Sequence, residues 1–158
     1  MRRISGCHVG PALFLLAFAP LATSAQQGQP QRAAHLAYDS EMAQAVIGCP
    51  DAITLTDRNE CLVNTQDRTY KNFDAFFLGL REALIEEAPN DANALALDAA
   101  ERAWEKYRTT TCDAVGATYD TGTIAHPGMS GSSAKVRCLI QVTRSRMRDL
   151  MQLYDATL

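Results

Sequence analysis

Four of the five cysteines, Cys49, Cys61, Cys112 and Cys138, lie beyond the first 25 residues, and they limit what this chain can fold into more than any other feature. Their meaning depends on the compartment, which the N-terminus indicates. Arg2 and Arg3 precede an apolar run over residues 9–22, and Thr23, Ser24 and Ala25 then offer small side chains to a signal peptidase. The run is broken by Pro11 and Pro20 and is too short and too rich in small residues for a membrane anchor, so residues 1–25 read as a cleaved secretory signal. Cys7 stands in front of that run and not behind it, where a lipid-acceptor cysteine would be needed. The expected mature protein is periplasmic or secreted and has no stable membrane anchor. An even cysteine count in an exported chain implies two disulfides, with three connectivities open on the count alone. Zinc is a poor alternative: no Cys-x-x-Cys pair exists, and His35 and His126 do not fall at ligand spacing. No metal or other cofactor is expected.

Removing Arg2 and Arg3 takes the formal charge from -3 to -5. That balance argues against a nucleic-acid ligand and fits a cationic partner better. The remainder has the size of one domain, with a core modest enough for covalent staples to matter.

Residues 26–33 are polar and lack apolar periodicity, as expected of a frayed leader, and residues 34–47 can form a short helix stopped by Gly48 and Pro50. Residues 49–158 are then expected to hold the main helical domain. Asp57 followed by Glu60 reads as a capping box opening a long helix. Leu62, Gln66, Tyr70, Phe73, Phe77, Leu80 and Leu84 follow at steps of three and four, up to Pro89. Asn90 can cap a second helix whose stripe is Leu97, Ala100, Trp104, Tyr107 and Thr111, with Cys112 one residue beyond it. Over residues 113–134 the pattern dissolves into Gly116, Gly122, Pro127, Gly128, Gly131 and a serine-rich run, which reads as an unusually long loop. Val136, Leu139, Ile140, Thr143, Met147, Leu150 and Tyr154 define a third helix with Arg137, Arg144 and Arg148 on its exposed side. The fold class is therefore all-α: a small antiparallel bundle of three main helices plus a short N-terminal one. In that arrangement Cys49 adjoins Cys61 at the start of the first long helix, and Cys112 adjoins Cys138 at the mouth of the loop, so these are the expected bridges.

A search for chemistry finds no convincing nucleophile with a base, no paired catalytic carboxylates and no metal cluster. His126 lies near Ser130, Ser132 and Ser133, yet no nucleophile elbow accompanies it, so it reads as an exposed loop histidine. Glu82, Glu86, Glu87, Asp91, Asp98 and Glu101 cluster around the turn between the first two long helices with Arg81 among them, either as a solvated face or as a landing site for a basic protein. Lys135, Arg137, Arg144, Arg146 and Arg148 give the third helix the opposite sign, and pairing between these faces is the simplest account. Trp104 is expected in the core. Arg108 and Arg146 are expected either to bond free helix-end carbonyls or to point outward.

The run from Trp104 through Tyr107 and Arg108 to Cys112, then a Gly/Ser-rich loop, then Cys138 and Leu139 with Thr143, Arg146 and Leu150, resembles the LprI-type lysozyme inhibitor domain. Asn59, Glu60, Cys61 and Asp67 extend the likeness, so it covers most of residues 49–150. Thr109 and the pair Tyr70 and Lys71 depart from the family's usual residues there. The resemblance implies secretion, helices, disulfides and lysozyme inhibition, without identifying inhibitory residues. Separately, the stretch from Ser130 to Lys135 looks like the Ser-Gly-x-x-Ala-Lys-type loop of a β-barrel class of lysozyme inhibitors. The expected protein thus binds a basic lysozyme or related muramidase, with the acidic corner (Glu82, Glu86, Glu87) steering. The loop 122–135, carrying His126, Ser130, Ser132, Ser133 and Lys135, is expected to occlude the cleft. The competing expectation is an envelope interaction module with another partner; a hydrolase using His126 ranks last.

Overall fold

The computed structural model describes residues 28–44, 49–87, 91–121 and 129–155. Within them the chain forms four α-helices and no strand: α1 Gln29–Met42, α2 Leu55–Glu87, α3 Ala92–Asp120 and α4 Gly131–Asp155. The expected signal segment, Asn90 and His126 lie outside the described residues. No helix among those described is long and apolar enough to cross a membrane.

The direction of each helix follows from its cross-links. Arg81 on α2 binds Asp98 on α3, and the Cys112 to Cys138 bond joins α3 to α4, so α3 runs opposite to both neighbours. Asn59 near the start of α2 meets Ser133 near the start of α4, so these two run parallel. The short α1 lies against α2 and α4 and does not touch α3. Its backbone at Pro30 and Ala34 approaches Gly79 so closely that a Cβ there would sit 2.7 Å from the Pro30 carbonyl. Only glycine permits that approach, and it lets Ala34 and Ala37 enter the core beside Phe76, Leu80 and Met147. A second, smaller cluster of Cys49, Leu62 and Ile140 fills the disulfide end. Both bridges join the expected partners, across sequence separations of 12 and 26. Closing loops of these lengths stabilises the fold by roughly 3 kcal/mol each in the chain-entropy account.

Several boundaries differ from expectation, each for a physical reason. α1 begins at Gln29 because Pro30 suits a first-turn position, where its missing N–H costs nothing. The cap of α2 lies three residues before the expected one. Thr54 Oγ1 accepts from the Asp57 N–H at 3.1 Å and the Asp57 carboxylate accepts from the Thr54 N–H at 3.0 Å, so Asp57 closes the box instead of opening it. α3 continues to Asp120, through residues expected to be loop, because Gly116 is a packing glycine: a Cβ there would lie 3.1 Å from the Gly131 carbonyl. α4 begins at Gly131, whose N–H donates to Asp120 Oδ1 at 3.0 Å.

Two stripes also change. On α3, Ala100 and Tyr107 are exposed, and Leu97, Glu101, Cys112 and Gly116 are buried with Trp104 and Arg108 half-buried between them. The phase is set by two charged residues that find partners inside. On α4, Arg144 is buried and not on the exposed side, because α4 faces α3 on one flank and α1 and α2 on the other, which widens its covered stripe. Arg144 Nε donates to Glu41 Oε1 at 2.6 Å, and the same carboxylate accepts from Thr69 Oγ1 and Asn72 Nδ2, each at 2.8 Å.

Candidate functional site

At its 33 residues α2 is about 50 Å long. The features expected to meet a partner fall at its two ends. The first end gathers the start of α2, the start of α4 and the end of α3. Here the serine run is part of a helix and not of a loop. Ser130 caps α4, its hydroxyl accepting from the Ser133 N–H at 3.2 Å, and the Ser132 hydroxyl lies 2.8 Å from it. Ser133 is buried and donates to Asn59 Oδ1, and Lys135 forms an ion pair with Asp113. Of these residues, Ser130 and Ser132 are exposed. Beside them the Cys49 to Cys61 bond closes a segment in which Ala52 N–H donates to the Cys49 carbonyl at 3.1 Å. Cys49 adopts φ 46°, in the left-handed region. A cleft of about 480 Å³ lies against this segment, lined by Asp51, Asp57, Asn64 and Arg68 among others. The Asp57 carboxyl is held below its ordinary pKa by hydrogen bonding to the Thr54 side chain and then to its backbone.

The opposite end carries the acidic corner. Glu82, Glu86, Glu87 and Asp91 are exposed there, with Glu86 placed against Gly28 at the N-terminus of α1, where a negative charge opposes the positive helix end. The other two acids are spent inside the fold. Asp98 receives Arg81 Nε on both oxygens, at 3.0 and 3.1 Å, and the nearly buried Glu101 pairs with Arg146 at 3.5 Å. Burial pushes the Glu101 carboxyl above the usual glutamate range, against the pull of Arg146. The expected pairing of the acidic corner with α4 is thus realised by Glu101 and Arg146, while Arg144 pairs with α1.

Between the ends lies an aromatic and guanidinium stack. Trp104 packs on Phe73 with ring centroids 5.3 Å apart. The Arg108 guanidinium lies 4.8 Å from the ring centres of both Tyr70 and Trp104, and Arg146 sits 5.8 Å from that of Trp104. Neither arginine plays the helix-end or outward role expected of it. Tyr70 supplies one face of the stack. Thr143 is buried and bonds back to the Leu139 carbonyl at 2.8 Å, and Tyr107 lines an open cleft with Gln141, Ser145 and Asp149. Sequence reasoning missed the Glu41 network, although Glu41 falls in helical register with Ala34 and Ala37, so a charge on an apolar stripe was its visible sign.

Among the described residues no group of three or more His, Cys, Asp or Glu side chains is placed to hold a metal. The described residues define an all-helical bundle stapled by two disulfides. Over residues 22–150 the chain matches the family described as Lysozyme inhibitor LprI, and it belongs to that family. Comparison with curated proteins and with solved structures gave no match.

Proposed function

We propose that this chain is an exported binding protein that inhibits lysozyme or a related muramidase. The observation that carries the reading is family membership over residues 22–150, a family defined at its own level by lysozyme inhibition. The charged N-terminus with its short apolar run supports export to the periplasm or beyond. The residual negative charge suits a cationic enzyme as partner.

The dimensions of the bundle bear on how such inhibition would work. The exposed glutamates Glu82, Glu86 and Glu87 stand some 35 to 50 Å along α2 from its first turn, reckoned from the helical rise. One enzyme cleft does not engage both ends, so the acidic corner stands apart from an occluding surface at the disulfide end. Occlusion falls to the disulfide end, which carries the exposed Ser130 and Ser132.

The test is a cell-wall lysis assay with the oxidised mature protein against a panel of structurally distinct muramidases. Saturable inhibition of at least one at near-stoichiometric protein is the expected result. A protein that neither inhibits nor binds any of them overturns the reading in favour of an envelope interaction module with another partner.

A further inference from the structure

We infer that the segment 49–55 is a preorganised apolar anchor, with Ile53 at its tip, that docks into the cleft of a cationic muramidase. This rests on the muramidase reading above and names the surface through which that binding occurs.

Ile53 is 93% exposed and Leu55 60%, and neither belongs to either core cluster. A single exposed aliphatic residue is ordinary on a protein surface. What distinguishes this one is how firmly it is held. The Cys49 to Cys61 bond fixes the root of the segment, the Ala52 to Cys49 backbone bond turns it, and the reciprocal Thr54 and Asp57 bonds fix its entry into α2. An apolar tip on so constrained a base loses little conformational entropy when it is buried against a partner, the cost that most weakens loop-mediated binding. It lies just ahead of the first turn of α2, with nearly all of its side chain open to solvent. The charges around it are Asp51, Asp57 and Glu60 against Arg58 and Arg68, a small acidic excess that favours a basic rim over an acidic one.

The experiment compares the full mature protein with Ile53→Asp and with Leu36→Asp, the latter altering an aliphatic residue on α1 that is 62% exposed in the parent. Melting temperature and free-thiol content establish that each variant is folded and oxidised. Ile53→Asp is expected to raise the inhibition constant about 30-fold or more, the scale of a central anchor, with Leu36→Asp within about threefold of the parent. As a readout independent of any folding defect, a photoreactive residue at position 53 is expected to cross-link to the muramidase. If the parent inhibits and Ile53→Asp inhibits equally well, or position 53 fails to cross-link, the anchor is wrong and the muramidase reading stands. If the parent binds no muramidase, both fall together.

Discussion

Arg108 lies between the rings of Tyr70 and Trp104, and that placement explains why α3 is phased as it is. Periodicity favoured Ala100 and Tyr107 because they are apolar, whereas the buried register belongs to Glu101 and Arg108, which find an ion partner and two aromatic faces inside. A hydrophobicity pattern is blind to charges that are buried in company. Trp104 was legible, and its truncation tests the stack. Trp104→Ala is expected to cost about 3 kcal/mol, the lower end for such cavities because the ring is only half-buried, visible as a fall in Tm of roughly 10 °C. Glu101 offers a second test through pH. Its folded pKa is raised, chiefly by burial, so the folded state holds that proton more tightly than the unfolded chain does. Its contribution to stability therefore falls as pH rises from the unfolded value of about 4.3 through the raised one. Removing it in Glu101→Gln should make Tm climb more steeply just above the ordinary glutamate range than in the parent, as scanning calorimetry would record. Equal slopes would mean that Glu101 titrates normally.

The helices themselves were legible wherever apolar residues repeat, as along α2 from Leu62 to Leu84. The α1-facing side of α2 was less so, since beside Phe76 it carries Thr69, Asn72 and Gly79, which give no hydrophobic signal and serve by smallness and hydrogen bonding. Helix starts failed for a related reason: Ser, Gly and Thr read as loop and act as caps. The same polar chemistry makes α1 the element most easily detached. Glu41→Ala leaves Arg144 buried without its counter-charge and removes the acceptor for Thr69 and Asn72. A loss of about 3–5 kcal/mol is expected. Hydrogen exchange should show it first at the amides of residues 29–42, ahead of α2, α3 and α4. Uniform loss of protection over all four helices would show instead that α1 is not a separable unit.

At the scale of the whole molecule, the two ends of the bundle are electrostatically independent. Exposed charges are screened over about 8 Å at physiological ionic strength, far less than the length of α2. Reversing Glu82, Glu86 and Glu87 to lysine is therefore expected to leave the inhibition constant within about threefold, stopped-flow association at physiological salt included. A tenfold or greater loss would move the interface to the acidic end and count against docking through Ile53. The staples at the other end have a consequence for biogenesis. Cys49 bonds to Cys61 and Cys112 to Cys138, so each cysteine joins its nearest neighbour in the sequence. A chain threaded across a membrane from its N-terminus presents the first pair complete before the second begins to emerge. Under the proposed export, an oxidase that couples thiols in order of arrival would produce the native connectivity at the first attempt, with no wrong pairs for an isomerase to reshuffle.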